Sequence, residues 1–286
     1  MEIKKIGVVG AGTMGNGIAL VAAQIGCEVV MRDIKDEFVQ RGMKAITGFL
    51  SKSVEKGKLE AAKKDEILAR ITPTTDMSLM KDVDFVIEVV IEDLNLKKSV
   101  FKELDEICRP DVVIASNTSS MSITEIAAAT KRPDKICGMH FFNPVPIMKL
   151  VEVIRGFLTS EETAATAINI AKKMGKTPVD VKKDSPGFIV NRIMLPHLLE
   201  AIKIVEEGIA SVADVDIAVK NGLNYPMGPF ELMDLSGIDI AYFVTEYFFK
   251  EMNKELKWVC PTMLKNMIRA GRLGRKTNGG WYDYSK

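Results

Sequence analysis

The sequence predicts an α/β fold, with a doubly wound and mostly parallel sheet followed by an all-helical C-terminal region. One observation is the alternation of short apolar runs with helical stretches from residue 5 onward, which is typical of parallel sheets. The other is a change of pattern near Pro186, beyond which the sequence predicts helices and no convincing strands. We therefore expect two domains, residues 1–184 and 185–286.

The composition argues against several classes of protein. A formal net charge of +1 over 286 residues gives no global attraction to nucleic acid or to an acidic membrane surface. Four widely spaced cysteines suggest neither a zinc site nor a disulfide framework. No apolar run approaches the roughly 18 residues of a membrane span, and no leader sequence is recognised. We expect a cytoplasmic protein that uses no metal and binds neither nucleic acid nor membranes.

The first strand and helix flank a glycine-rich turn. A buried strand is predicted at 5–9, Gly10-Ala11-Gly12-Thr13-Met14-Gly15 follows, and an apolar helix begins there. This is G-x-G-x-x-G between a strand and a helix, the context that a dinucleotide site requires. Gly10 permits the tight turn, Gly12 lets a pyrophosphate approach the backbone, and Gly15 lets helix and strand pack closely. The sequence therefore predicts a Rossmann-type nucleotide domain.

Asp33 indicates which dinucleotide binds. It ends a second predicted strand at 28–32. An acid at this place accepts hydrogen bonds from the adenosine ribose and repels a 2′-phosphate, which favours NAD over NADP. The neighbouring Arg32 keeps NADP open as the minority alternative.

Residues 35–70 form a long, polar, mostly helical insertion with a break near Gly57. It is too long for an ordinary crossover, so we expect a helical hairpin that leans away from the sheet. Its lysines have two interpretations, a solvated face or a clamp for an anionic, nucleotide-bearing substrate. They are Lys44, Lys52, Lys56, Lys58, Lys63 and Lys64.

The sheet continues with predicted strands at 71–73, 85–88 and 112–115, alternating with helices at 94–108 and 122–129. Ligands of such sheets bind at the carboxyl ends of the strands. Glu92, Lys97 and the polar run 116–120 fall at those ends, where ribose, nicotinamide and substrate would meet. Part of this cluster is ordinary helix capping, for which Ser122 is a candidate.

His140 is placed like a catalyst. It lies at or near the end of a predicted strand at 136–139, and an irregular turn with two prolines leads to another strand at 150–154. If the two strands pair, Glu152 comes near the imidazole. A carboxylate fixes the tautomer of a histidine and stabilises its imidazolium, which makes the pair a proton-transfer device. A core histidine in a structural ion pair is the alternative.

The helical region begins with a long apolar helix at 188–207, which carries Asn191 near its start and His197 farther along as a packing residue. Three more helices are predicted at 214–219, 238–249 and 262–270, and 225–232 is expected to link them. Their apolar content suggests a surface buried against a second copy. The basic, glycine-rich tail at 274–282 is a candidate to return to the cleft.

Five ordered motifs together resemble the L-3-hydroxyacyl-CoA dehydrogenase family, which includes the bacterial 3-hydroxybutyryl-CoA dehydrogenases. They are GAGTMG at 10–15, SNTSS at 116–120, HFFNPVPIMKLVEV at 140–153, SPGFIVNR at 185–192 and YPMGPFEL at 225–232. The resemblance covers essentially the whole chain. It implies a nucleotide domain followed by a helical dimerisation domain, a homodimer, and an acyl-CoA substrate such as acetoacetyl-CoA or 3-hydroxybutyryl-CoA.

The resemblance also implies roles for individual residues. His140 and Glu152 match the catalytic pair, Ser119 and Asn191 the groups that hold the substrate, and Lys56, with Lys52 as a weaker candidate, a contact to the coenzyme A nucleotide. The residues that match the NAD site are Gly10, Gly12, Thr13, Met14, Gly15, Asp33, Glu92, Lys97, Asn117 and Asn143.

Two other functions stay open at this point. A dehydrogenase of a phosphorylated sugar acid is the enzymatic alternative, although the motifs at His140 and Asn191 count against it. A nucleotide-binding sensor or structural protein of the same family would keep the glycine-rich turn but would not need an intact His140–Glu152 pair. Acyl chain length and physiological direction, β-oxidation or butanoate synthesis, are not predicted.

Overall fold

A computed structural model describes residues 2–285 of the chain. It divides them into two compact units, one that ends at Ser185 and one that begins at Pro186. The predicted boundary lies one residue earlier. Each unit is described by itself below.

The first unit contains an eight-stranded sheet in the order β3-β2-β1-β4-β5-β6-β7-β8. Strands β1 to β6 are parallel, β7 is antiparallel to β6, and β8 is parallel to β7. The predicted α/β class with a mostly parallel sheet is confirmed. The strands are β1 (Lys5–Val9), β2 (Glu28–Arg32), β3 (Ile71–Thr74), β4 (Phe85–Glu88), β5 (Val113–Ser116), β6 (Ile136–Phe141), β7 (Leu150–Ile154) and β8 (Thr177–Val181).

Six α-helices accompany the sheet in the part of the first unit that the structure describes. They are α1 (Thr13–Gln24), α2 (Asp36–Glu55), α3 (Ala61–Ala69), α4 (Leu94–Ile107), α5 (Ile123–Ala127) and α6 (Glu161–Lys173). Side chains cap several of these helices, as the composition of their first turns predicts. Ser122, the predicted cap, accepts the Glu125 N–H at 3.1 Å, and Asp93 accepts the Leu96 N–H at 2.8 Å.

The helical hairpin packs differently from the expectation. Its two helices are α2 and α3, and the break falls at Gly57, whose φ of +67° favours glycine. However, Val39, Ile46 and Leu50 of α2 are buried in the main core of the first unit. The expectation that the hairpin leans away from the sheet is therefore wrong for this inner face, because an apolar stripe at helical spacing must be buried.

The second unit is helical. Its helices are α7 (Val190–Glu206), α8 (Val212–Gly222), α9 (Pro229–Ser236), α10 (Ile238–Glu251) and α11 (Thr262–Arg269). Buried side chains such as Leu199, Phe230 and Phe248 form its own hydrophobic core. The expected link at 225–232 is helical from Pro229 onward, because Pro229 is suited to the first helical position. Among residues 2–285, none of the helices has the length and hydropathy needed to cross a bilayer.

The C-terminal tail is held by two buried carboxylates of the second unit. Asp234 accepts the backbone N–H groups of Trp281 and Tyr282, both at 2.9 Å. Asp216 accepts the hydroxyl of Tyr282 at 2.7 Å and the N–H of Phe230 at 2.9 Å. These contacts tie the tail to α8 and α9. That the tail returns to the cleft stays a prediction.

Candidate active site

The glycine-rich turn has the geometry that close contact with a dinucleotide requires. Gly10 has a φ of +116°, and a Cβ there would lie 2.5 Å from the Val89 carbonyl oxygen, because β1 and β4 meet at this point. A Cβ on Gly15 would lie 1.8 Å from the Gly10 oxygen. At Gly12 the same atom would meet nothing within 4 Å, so the backbone is open to a ligand. Thr13 begins α1, whose N-terminal N–H groups suit a pyrophosphate.

Asp33 lies beside this turn. One of its carboxylate oxygens accepts the Ala11 N–H at 2.7 Å, and the other accepts its neighbour Ile34's N–H at the same distance. A cavity of about 350 Å³ opens next to the carboxylate. The cavity is lined mainly by apolar side chains together with a few charged ones, which suits an adenosine. Its lining residues include Gly10, Gly12, Arg32, Asp33, Ile34, Phe38, Arg41 and Ile91.

A buried ionic network lies at the carboxyl ends of β4 and β5. Glu88 is fully buried; one of its oxygens accepts Lys97 Nζ at 2.9 Å and the Val90 N–H at 2.6 Å, and the other accepts Ser116 Oγ at 2.6 Å. Lys97 is buried as well, and its Nζ lies 3.6 Å from a carboxylate oxygen of Glu92. Such a pair is stable only because the partners satisfy each other.

Glu92 connects this network to the polar run at 116–120, which carries Ser119. Its two carboxylate oxygens accept Thr118 Oγ1 at 2.9 Å and the Ser119 backbone N–H at 2.8 Å. The structure therefore brings together three of the predicted site residues, namely Glu92, Lys97 and Ser119. Glu92 therefore links Lys97 to the backbone of Ser119.

His140 and Glu152 form a direct pair. The two residues face each other in the register of β6 and β7, and His140 Nδ1 lies 2.7 Å from Glu152 Oε2. The predicted approach of Glu152 to the imidazole is confirmed. Both side chains are buried, and the ring of Phe142 packs against the imidazole at a centroid distance of 4.5 Å. In this low-dielectric setting the carboxylate fixes which ring nitrogen carries the proton.

Asn117 and Asn143 are two further residues predicted to contact NAD. The side-chain oxygen of Asn117 accepts the Phe141 N–H at 2.8 Å, next to His140. Asn143 is exposed and lines a smaller cavity of about 160 Å³ together with Thr13 and Asn16 of α1. Both positions agree with a place beside the cofactor, and their direct contact with NAD stays a prediction.

The remaining predicted residues lie on other elements. Asn191 is in the first turn of α7, in the second unit. His197 packs its ring against Tyr225 at a centroid distance of 5.5 Å, which confirms the packing role expected for it. Lys52 and Lys56 are exposed at the end of α2.

Comparisons with known proteins agree with this geometry. The family model for the NAD-binding domain of 3-hydroxyacyl-CoA dehydrogenase matches residues 5–185, and the model for the C-terminal domain matches 187–284. The chain belongs to this family. The prediction of NAD as the cofactor is thereby confirmed, and the chain is an NAD-dependent oxidoreductase of the 3-hydroxyacyl-CoA dehydrogenase family.

Individual relatives match over the full length. A 3-hydroxybutyryl-CoA dehydrogenase of Clostridioides difficile is 47% identical over 282 residues, which are 99% of this chain and 100% of that protein. The human mitochondrial hydroxyacyl-coenzyme A dehydrogenase is 42% identical over 289 residues, 99% of this chain and 91% of that protein. The crystal structure of (S)-3-hydroxybutyryl-CoA dehydrogenase from Ralstonia eutropha superposes on this chain with a TM-score of 0.97. The sequences are 46% identical, and the alignment covers 100% of each chain.

In this member of the 3-hydroxyacyl-CoA dehydrogenase family, the sequence interpretation missed the part that Glu88 plays. Glu88 was assigned only to a strand, yet it holds both Lys97 and Ser116. The available signal was an acid at the end of the otherwise apolar strand Phe85–Glu88. A carboxylate in such a position needs a buried partner.

Proposed function

We propose that this chain interconverts (S)-3-hydroxyacyl-CoA and 3-ketoacyl-CoA, with 3-hydroxybutyryl-CoA and acetoacetyl-CoA as the substrate pair. The observation that carries this proposal is the buried His140–Glu152 pair, with Nδ1 and Oε2 2.7 Å apart. A sensor or a structural protein would not need an intact pair of this kind. Together with an NAD site, such a pair supports proton-coupled hydride transfer.

The proton is moved by His140. Bound NAD supplies the hydride chemistry at C3 of the substrate. In the oxidative direction, neutral His140 takes the proton from the C3 hydroxyl, and Glu152 stabilises the imidazolium that forms. Since Nδ1 faces Glu152, Nε2 is the nitrogen that would exchange the proton with the substrate. In the reductive direction the imidazolium donates the proton to the nascent alkoxide oxygen.

Ser119 and Asn191 are proposed to hold the reacting oxygen and the thioester end of the substrate. The backbone of Ser119 is fixed by Glu92, so the loop is oriented before the substrate arrives. General acid–base assistance contributes typically about 10²–10⁴-fold, and positioning of this kind must supply much of the remaining rate enhancement.

Lys56 and Lys52 are proposed to bind the phosphates of the coenzyme A nucleotide. Both are exposed at the C-terminal end of α2, beside the break of the hairpin. The inner face of α2 is buried in the core, so these lysines project from a fixed helix and not from a mobile arm. Exposed contacts of this type are weakened by salt.

A homodimer through the second unit is proposed from its exposed apolar side chains. Ile193 of α7 is 69% exposed, and Ile240 and Phe243 of α10 are 52% and 63% exposed. Apolar side chains of this size at helix surfaces are typical of an isologous interface. Light scattering coupled to gel filtration tests the mass, and Phe243→Glu should shift it toward that of a monomer.

One assay tests the proposed activity. Purified protein should oxidise NADH when acetoacetyl-CoA is added, and 3-ketoacyl-CoA substrates of increasing length then define the acyl pocket. His140→Ala serves as the matched control, because it keeps the cofactor site. If the protein turned over a phosphorylated sugar acid but no 3-ketoacyl-CoA, the proposal would be wrong. The protein would then be a dehydrogenase of phosphorylated sugar acids.

A further inference from the structure

Lys176 is a buried cation that the proposed reaction does not use. It lies between α6 and β8 and is only 9% exposed. Its ammonium donates to the carbonyl oxygens of Val145 and Met148, the latter at 2.9 Å. These carbonyls belong to the catalytic loop, by which we mean residues 142–149 that join β6 to β7 and separate His140 from Glu152.

The burial of this ammonium has no ion-pair partner to offset it. Among residues 2–285 no carboxylate forms a salt bridge with Lys176, whereas the other deeply buried lysine, Lys97, is paired with Glu88. Burial lowers the pKa of Lys176. An apolar side chain of similar length would fill the same space without this desolvation cost. What the ammonium adds over such a side chain is the pair of hydrogen bonds to the catalytic loop.

The catalytic loop also contacts the cofactor helix. Val145 is 2% exposed and packs on Gly17 of α1, where an added Cβ would lie 2.9 Å from the Val145 Cβ. Asn143 of the same loop lines the small cavity that Thr13 bounds at the start of α1. The loop is thus clamped between Lys176 on one side and the phosphate-binding helix on the other.

We infer that Lys176 is a positioning residue for the dehydrogenase reaction. Its ammonium fixes the catalytic loop, so that Asn143 faces the cofactor and the strands of His140 and Glu152 keep their alignment. The inference rests on the proposed function for its effect on turnover, and on the NAD site alone for its effect on cofactor binding.

The test compares three variants with the native protein. Lys176→Met removes the donor at similar length, Lys176→Arg keeps a cation, and Lys173→Met removes an exposed lysine of α6 as the matched control. NADH binding is measured directly by fluorescence titration of folded protein, and kcat and both KM values are measured with acetoacetyl-CoA.

We expect Lys176→Met to raise the Kd for NADH by about tenfold, because the catalytic loop loses both hydrogen bonds from the ammonium and Asn143 is no longer held in place. Its kcat should fall, the KM for acetoacetyl-CoA should change less than the Kd for NADH, and Lys176→Arg should recover most of both losses. If Lys176→Met does not fold, Lys176→Gln, which keeps a shorter neutral donor, takes its place with the same expectation.

A lowered melting temperature with unchanged Kd for NADH and unchanged kcat per folded molecule would overturn the inference. An effect of Lys173→Met equal to that of Lys176→Met would do the same. The two proposals can fail separately. Native protein that does not turn over acetoacetyl-CoA would contradict the proposed function. The NADH titration would still show whether Lys176 affects cofactor binding.

Discussion

The two units bury carboxylates against different kinds of partner. In the first unit, Glu88 faces Lys97 Nζ at 2.9 Å and Glu152 faces His140 Nδ1 at 2.7 Å. In the second unit, Asp216 and Asp234 are equally buried, but among residues 2–285 the groups that donate to them are backbone N–H groups and tyrosine hydroxyls. The partners in the first unit are basic side chains, whereas those in the second unit are neutral N–H and O–H donors.

This difference distinguishes buried carboxylates that serve the reaction from those that stabilise the fold. A carboxylate beside an imidazole sets when that imidazole holds a proton, so it controls a reaction step. A carboxylate that accepts several backbone N–H groups fixes a chain segment in place. Tyr282 illustrates the second case, because burial and the nearby Asp216 raise the pKa of its hydroxyl and keep it a donor. The partner of a buried carboxylate, more than its burial, therefore indicates a functional site.

The largest effect is expected at His140. His140→Ala should lower kcat by roughly 10²–10⁴-fold, the range of general acid–base assistance, while NADH binding stays nearly unchanged. Steady-state kinetics and NADH titration of the same preparation check both parts. If NADH binding fell in proportion to kcat, His140 would have a structural role and not a catalytic one.

The matching change in the second unit should reverse the pattern. Asp216→Asn leaves one of its buried N–H or O–H donors without an acceptor, which should lower the free energy of unfolding by about 1–3 kcal/mol. The kcat per folded molecule should stay close to the native value. Urea unfolding and kinetics on the folded fraction measure the two quantities. A large loss of kcat with native stability would break the comparison.

Asp33 is an intermediate case between the two kinds of buried carboxylate. Its carboxylate accepts the backbone N–H groups of Ala11 and Ile34, a kind of partner also found in the second unit, but it lines the cofactor cavity. Asp33→Ser should narrow the preference for NADH over NADPH by about tenfold, since it removes a ribose contact and the repulsion of a 2′-phosphate. Arg32 and Arg41 already line the cavity and favour NADPH once the acid is gone. A native enzyme with the lower KM for NADPH would refute the ribose assignment.

The smallest effect is expected for an exposed charge. Lys56→Ala should raise the KM for acetoacetyl-CoA by about twofold to fivefold, as one screened surface contact allows, and the native KM should climb with salt. A truncated pantetheine thioester, which lacks the nucleotide phosphates, should respond less. Lys63→Ala is the control, because Lys63 already pairs with Glu66. Equal responses of both thioesters would leave Lys56 as a solvated residue.

The sequence predicted those parts of the site that are formed by residues close together in the chain. Gly10, Gly12 and Gly15 lie within six positions, so their steric roles follow from the motif itself. The pairing of His140 with Glu152 was predictable too, because two short strands joined by a turn with two prolines can meet only by folding back.

Other contacts depend on distant parts of the chain and were missed. The two carboxylates that hold the C-terminal tail lie 47 to 66 positions away from the tail groups that they bind, and no local sequence pattern predicts such contacts. The pair of Glu88 and Lys97 spans only nine positions, but it also depends on the fold, because the end of β4 must face α4. The buried face of α2 was a missed signal, since Val39, Ile46 and Leu50 follow helical spacing.

Glu152→Gln is the change that isolates the carboxylate of the pair. It keeps the size of the side chain but removes the charge that favours the imidazolium, and its amide permits the wrong tautomer. We therefore expect a lower kcat and a pH–rate limb of His140 that moves to lower pH. The direction follows because an imidazolium without its counter-charge loses its proton more readily.

The kcat of the double mutant His140→Ala/Glu152→Gln tests most directly whether Glu152 acts through His140. If it does, Gln at position 152 costs little once the imidazole is absent, and the double mutant is hardly slower than His140→Ala alone. Losses that multiply fully would contradict this, because Glu152 would then act independently of His140, and the buried pair would be structural like the carboxylates of the second unit.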